Sequence, residues 1–124
     1  MLLKHANQVE RILINREGFA LAYVRYLLIK SDGCPNYAMR LMEFEPTGHT
    51  SYHGHEEEHE FYFLEGNGIM VDNDGKEQQV KPGDAVYIPP RHKHQIKNSG
   101  NSVLKVICTI PILAGGDGKS TKII

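Results

Sequence analysis

The sequence predicts an all-β domain, and three observations lead to that prediction. Its apolar segments are short and rich in β-branched and aromatic residues. Turn-forming residues separate them, and no window repeats its apolar positions at the helical period of 3.6 residues. In the last long segment the apolar residues Leu104, Val106, Cys108 and Ile110 alternate with other residues, as in a strand with one buried face. The chain therefore reads as a series of short strands.

The predicted strands run from residue 9 to residue 113. The first three predicted segments are residues 9–14, 20–30 and 37–45, which are separated by Gly, Pro, Asn and Asp. Later segments lie within residues 60–66, 68–80, 84–90, 94–98 and 102–113, with turns at Asp74-Gly75, Pro82-Gly83-Asp84, Pro89-Pro90 and Ser99-Gly100. Many short antiparallel strands in one small domain must close or stack to protect their edges. We therefore expect a sandwich, a jelly roll or a barrel.

Length and charge limit what the chain can be. At 124 residues it fits a single domain over residues 1–124. Its 14 basic and 15 acidic residues are mixed, so no basic stripe predicts nucleic acid as a partner. No apolar run is long enough to span a bilayer, and we expect no membrane partner and a cytoplasmic location. The Gly-rich residues 114–124 predict a loose C-terminal tail.

Histidines cluster in one short stretch, residues 51–66, which reads SYHGHEEEHEFYFLEG. On a strand, His53 and His55 would point to the same face, and His59 across a turn could supply a third metal ligand. Taken alone, the stretch is better explained as a solvated, glutamate-rich hairpin with incidental histidines. A fourth histidine, His94, follows a Pro-Pro turn on another predicted strand. The two stretches together favour a metal site.

These two stretches resemble the two sequence motifs of the cupin family. The residues that carry the resemblance are Gly48-x4-His53-x-His55-x3-His59-x6-Gly66 and Gly83-x5-Pro89-x-Arg91-x2-His94-x3-Asn98. With its flanking strands the resemblance covers about residues 38–110. It implies a double-stranded β-helix, the jelly-roll cupin barrel, with one divalent metal.

The chain departs from the family pattern in three places. Gly48 lies one residue closer to the histidines, Arg91 replaces a glycine, and His59 stands where the family usually has glutamate. Counting six residues back from Gly66 reaches His59, whereas Glu60 would need a one-residue slip that turns a strand side chain to the other face. We therefore expect His59 as the ligand and Glu60 outside. His92 is the rival of His94, and the spacing from Pro89 favours His94.

The predicted metal ligands are His53, His55, His59 and His94. This set resembles small single-domain cupins that bind divalent metals through four imidazoles, and it implies one transition metal per chain, whether Mn, Fe, Ni or Zn. Four neutral ligands would leave the full 2+ charge on the ion, and a six-coordinate ion would keep two open positions. The sequence predicts no further catalytic residue.

Strand alternation also suggests residues that line the pocket. Phe61, Phe63 and Val106 fall on faces that fit the interior. If Arg40 shares that interior, its buried charge needs a partner, and a substrate carboxylate is one candidate; the alternative is an arginine at the rim paired with a glutamate. The resemblance implies that Cys108 faces the metal cavity, whereas the simpler reading is a small buried apolar residue.

The leading functional expectation is a metal-dependent dioxygenase acting on a small organic substrate, anionic or electron-rich, with dioxygen as a second partner. A metal-dependent isomerase or lyase would turn substrate over without oxygen consumption, and a non-catalytic ligand- or metal-binding module would bind without turnover. The first predicted strands, residues 9–30 of the N-terminal region 1–30, are rich in Val, Ile, Leu and Tyr and would leave an apolar edge. We therefore expect a homodimer with its contacts in this region.

Overall fold

The structure is a computed structural model that describes residues 1–119 and 121–124. Within these residues the chain forms nine strands and two single-turn 3-10 helices, Ala6–Gln8 and Lys30–Asp32. The strands are β1 Ile12–Leu13, β2 Ala20–Leu28, β3 Tyr37–His49, β4 His59–Glu65, β5 Gly68–Val71, β6 Glu77–Val80, β7 Ala85–Ile88, β8 Gln95–Asn98 and β9 Leu104–Pro111. The predicted all-β class is confirmed.

All strand pairs are antiparallel, and the strands join in the order β6-β5-β8-β3-β9-β4-β7. Strand β3 is the centre of this arrangement, because it also pairs with β2, and β2 pairs with β1. The sheet curls into a jelly-roll barrel, as predicted. One face of β9 is buried in the interior and the other is partly exposed, whereas β3 is buried on both faces over residues 40–44.

The interior is built by alternate residues of the long strands. In β9, Leu104, Val106, Cys108 and Ile110 are buried while their neighbours are partly exposed. Phe44 on β3 and the even-numbered residues of β9 belong to one continuous apolar core. Such alternation places every second side chain of a strand on one face, which is why this pattern was readable in the sequence.

The N-terminal segment differs from the prediction. Only Ile12–Leu13 forms a strand within the predicted residues 9–14, and both residues are exposed. Before the predicted segment, Ala6–Gln8 form a 3-10 turn that the His5 side chain caps. A short strand at a sheet edge has few partners to order it, so its apolar composition overstated its length.

The C-terminal segment runs back along the barrel. Gly118 is buried, and a Cβ on it would lie 2.7 Å from the Cβ of Ala38. The backbone of Ile124 donates a hydrogen bond to Gly54 O over 2.9 Å. Ser120 lies outside the described residues. The predicted looseness of residues 114–124, and the predicted domain limits, stay predictions.

Neither 3-10 helix is long or apolar enough to cross a bilayer, and residues 1–119 and 121–124 contain no other helix.

Candidate metal centre

Two loops meet at one end of the barrel and bring the predicted ligands together. One joins β3 to β4 and carries His53 and His55, and the other precedes β8 and carries His94. His53 and His94 pair as an isolated bridge, with N···O distances of 3.1 and 2.9 Å in the two directions. The expectation that His53 and His55 share a regular strand is wrong, because this bridge stands outside the named strands.

The backbone of these loops is close-packed. The Arg91 amide donates to His55 O over 2.8 Å, and a Cβ on Gly54 would lie 2.7 Å from Arg91 O. Only glycine therefore fits between His53 and His55 without a shift of the neighbouring backbone. Arg91 itself has φ of 66°, the left-handed conformation that glycine adopts most readily. The backbone at Arg91 therefore keeps a glycine-like conformation, although the side chain is that of arginine.

Four imidazoles lie side by side in the interior. His53, His55, His59 and His94 are all buried, and five of their ring pairs have centroids 4.5–5.3 Å apart. Possible ligand atoms of His53, His55 and His94 lie within 4.8 Å of one another, so these three could hold a metal ion. The chemistry of the set fits, since imidazole nitrogen suits first-row divalent metals.

His59 is the first residue of β4 and completes the cluster. Its Nε2 lies 2.7 Å from Nε2 of His55. Its ring stacks on Phe61, with centroids 4.7 Å apart. The next residue, Glu60, is exposed. The one-residue alternation of a strand therefore separates the two candidates, with His59 inside the barrel and Glu60 outside.

The second ring nitrogens show which atoms are free to bind a metal. The Nδ1 atoms of His53, His55 and His94 lie 2.7–3.0 Å from the carbonyl oxygens of Ser51, Glu57 and His92, respectively. A carbonyl only accepts hydrogen bonds, so Nδ1 of His55 and Nδ1 of His94 carry the proton. Nδ1 of His53 also lies 2.9 Å from the Ser51 hydroxyl, which can donate or accept, and its contact with the Ser51 carbonyl favours the same protonated state. In a neutral imidazole the Nε2 atom then has a free lone pair, which is the state a metal requires.

His59 has a different partner, and its tautomer is open. Its Nδ1 lies 2.9 Å from Sγ of Cys108, and a thiol can donate or accept. If the thiol donates, Nε2 of His59 carries a proton and donates to His55. If the thiol accepts, both Nε2 atoms present lone pairs to each other at 2.7 Å. That second state is repulsive without a cation between them, so it suits metal binding.

The cluster is held neutral by its surroundings. Burial lowers the pKa of His55 to about 3, with added repulsion from His94 and His53. Burial likewise lowers the pKa of His94 to about 4, and it lowers the pKa of His53. For His59, burial and then the Arg40 charge bring the pKa well below its usual range. The imidazoles are therefore available as ligands at neutral pH.

A cavity of about 110 Å³ opens onto the histidines. Arg40 and Phe61 line it, whereas Phe63 and Val106 lie fully buried in the core outside its described lining. Cys108 is also fully buried and touches His59. Burial raises the pKa of the Cys108 thiol, and the neighbouring Arg40 opposes that rise.

Sequence reasoning missed the residues that complete this lining. Arg16 and Phe19 come from the segment before β2, and Lys119 and Thr121 come from the C-terminal segment. Phe19 stacks on His53 with centroids 5.7 Å apart, and Arg16 donates to Thr121 O over 3.1 Å. No local signal marks them, because the two ends of the chain meet here only through tertiary structure.

Comparison with known proteins places this geometry in a family. The family model for the cupin domain matches residues 40–110, which include all four histidines. This chain belongs to the cupin family. An oxalate-binding protein of Thermotoga maritima is 36% identical to this cupin over 107 residues, which cover 84% of this chain and 87% of that protein.

Two further similarities differ in extent. An uncharacterized protein of Methanocaldococcus jannaschii is 48% identical over 48 residues, which span 39% of this cupin and only 38% of that protein. The structure of the polyketide cyclase RemF from Streptomyces resistomycificus superposes with a TM-score of 0.87 and 26% identity, covering all of this chain and 85% of that one. The barrel is thus shared by proteins with different activities.

Proposed function

We propose that this cupin binds one divalent transition metal through His53, His55, His59 and His94 and uses it to oxidise a small organic substrate with dioxygen. One observation carries the proposal. Three buried imidazoles have their Nδ1 atoms tied to carbonyl oxygens, and a fourth lies beside them with a partner that permits either tautomer. Possible ligand nitrogens of His53, His55 and His94 lie within 4.8 Å of one another, Nε2 of His59 lies 2.7 Å from Nε2 of His55, and all four residues line one cavity.

When bound, a divalent ion in this set would supply Lewis acidity, redox chemistry toward dioxygen if it is manganese or iron, and open positions for small ligands. The chain's own residues do the rest. Phe61 and Phe19 stack on His59 and His53, and their rings shield that side of the histidines from water. The carbonyls of Ser51, Glu57 and His92 fix the orientation of three rings.

The lining favours oxidative chemistry over proton transfer. No aspartate or glutamate belongs to the cavity lining formed by the described residues. An isomerase or lyase needs a base near the substrate, and apart from the histidines assigned to the metal the described lining offers only Tyr26, Lys119 and two arginines for that role. The volume of about 110 Å³ is also small compared with the roughly 300–1,000 Å³ of pockets for drug-sized ligands. A small substrate fits better than a polyketide, which the name of RemF indicates for that protein.

Oxygen uptake tests the proposal. Metal-free protein would be refilled anaerobically with Mn, Fe, Ni or Zn and screened on an oxygen electrode with carboxylates, catechols, enols and styrene-like alkenes. We expect uptake coupled to substrate loss with Mn or Fe, and none with redox-inactive Zn. His94→Gln should abolish it, whereas His92→Gln, at an exposed site two residues away, should not. Substrate loss without oxygen uptake would indicate the isomerase or lyase, and binding without any turnover would indicate a binding module; either result refutes the oxidase proposal.

A homodimer through the N-terminal region is part of the proposal. Leu2, Leu3, Ile12 and Leu13 are exposed apolar residues at and before the edge strand β1. Sedimentation equilibrium of the wild type and of Leu13→Lys tests this surface. We expect a dimer that the charged variant weakens, and a wild-type monomer at all concentrations would contradict the expectation.

A further inference from the structure

Arg40 is a buried cation whose partners do not neutralise it. It projects from β3 and is only 8% exposed. Its Nη1 donates to Lys119 O over 3.3 Å, and its Nη2 donates to Sγ of Cys108 over 3.1 Å. Its Nε is buried without any partner. Among the salt bridges of the described residues, none joins Arg40 to a carboxylate.

Such an arrangement is costly unless an anion completes it. A buried charge is normally paired, and a buried donor is normally hydrogen-bonded. A carbonyl and a sulfur engage one hydrogen on each terminal nitrogen, whereas a guanidinium has five N–H donors in a fixed fork. The remaining donors match the two oxygens of a carboxylate, and Arg40 lines the cavity that opens onto the histidines.

Two more cations stand where the cavity meets solvent. Arg16 and Lys119 both line it, and both are exposed. The positive groups thus run from an exposed mouth to a buried base, with no carboxylate in the described lining. Clefts lined by charge of one sign attract ligands of the opposite sign and raise their association rate. The exposed Arg16 and Lys119 are therefore placed to attract an anion, and the buried Arg40 is placed to hold it.

We propose that Arg40 binds the carboxylate of a small organic anion beside the four histidines, and that Arg16 and Lys119 guide this anion into the cavity. The inference rests on the proposed function in one respect, namely that this cavity is the substrate site. It assigns a class of substrate that the histidine cluster alone does not define. The cavity of about 110 Å³ restricts the class to compact mono- or dicarboxylates.

Calorimetric titration with malonate and malonamide tests the assignment, because the two have similar shapes and differ in charge. Zinc-loaded protein, which has no redox chemistry, would be titrated with each. We expect malonate to bind and malonamide to bind at least tenfold more weakly. Arg40→Met should weaken malonate binding by about tenfold to a hundredfold, the loss typical of a hydrogen bond to a charged group. Lys97→Gln removes a surface cation that pairs with Glu77 and should change nothing.

Two further variants keep the test decisive if Arg40→Met unfolds. Arg40→Lys keeps the charge without the fork and should bind malonate with intermediate affinity. The double variant Arg16→Met, Lys119→Met changes only exposed side chains; stopped-flow association of malonate should be slower and less sensitive to salt than in the wild type. Equal binding of malonate and malonamide, or unchanged binding in every Arg40 variant, would overturn the assignment.

Together with the oxygen-uptake assay, the malonate titration distinguishes failure of the anion site from failure of the proposed function. Oxygen uptake without carboxylate preference would leave the oxidase standing and refute the anion site. Malonate binding that depends on Arg40, in a protein that consumes no oxygen with any metal, would support the anion site and refute the oxidase.

Discussion

Acidification should destabilise the metal-free protein through its buried histidines. The pKa of His55 falls from 6.5 to about 3 on folding, and that of His94 from 6.5 to about 4. Below pH 6.5 both histidines become protonated in the unfolded chain but stay neutral in the folded chain. The stabilisation that is present above pH 6.5 is therefore lost as the pH falls. At pH 5 both groups are still neutral in the folded state. This pH lies about 1.5 units below the unfolded pKa, and each unit changes the free energy by about 1.36 kcal/mol. Each histidine therefore lowers the unfolding free energy by roughly 2 kcal/mol.

The two histidines together predict a loss of about 4 kcal/mol in unfolding free energy between pH 8 and pH 5. This figure is a minimum, because the pKa values of His53 and His59 are lowered in the same direction. Domains of this kind have unfolding free energies of about 5–15 kcal/mol, so a loss of this size is a large share of the total stability.

Urea unfolding in EDTA at the two pH values measures this loss. His94→Gln should reduce it by about 2 kcal/mol, because one buried titrating group is gone. His92→Gln is the matched control, since His92 is exposed and lies two residues away. A wild-type unfolding free energy that is the same at pH 5 and pH 8, or equal losses in His94→Gln and the wild type, would refute the reasoning.

Three further predictions concern the loops and the sulfur beside the histidines. Gly54→Ala should weaken metal affinity at least tenfold by equilibrium dialysis, because its Cβ would meet Arg91 O at 2.7 Å; an unchanged affinity would contradict the close packing. Arg91→Gly should raise the unfolding free energy by about 1 kcal/mol in urea, since it relieves a left-handed φ, and a loss would contradict this. Cys108→Val removes the hydrogen-bond partner of His59 Nδ1 and should weaken metal affinity more than Cys108→Ser does; the reverse order would show that the sulfur only fills space.

The sequence predicts the barrel well because strand alternation is a local property. The alternation in β9 and the turn at Asp74-Gly75 both appear in the structure where they were expected. The position of His59 rather than Glu60 inside the barrel also follows from local counting, because one residue on a strand changes the face. The length of edge strand β1 was overestimated, because it depends on pairing with neighbouring strands, which composition does not reveal.

The rest of the candidate site depends on contacts between distant residues. Cys108 meets His59 and Arg40 across 49 and 68 residues of chain, and Arg16 reaches Thr121 across 105. No periodicity or motif encodes those pairings. The orientation of each imidazole likewise depends on which backbone carbonyl its Nδ1 meets, which is a property of the loops rather than of the spacing.

The metal content of two neighbouring variants tests the central claim most directly. His59 and Glu60 are adjacent, one buried beside His55 and one exposed. Wild type, His59→Gln and Glu60→Gln would be refilled anaerobically with manganese, dialysed and measured by elemental analysis. We predict about one metal per chain in the wild type and in Glu60→Gln, and at least tenfold weaker retention in His59→Gln. Loss of metal in Glu60→Gln with full retention in His59→Gln would contradict the four-histidine centre.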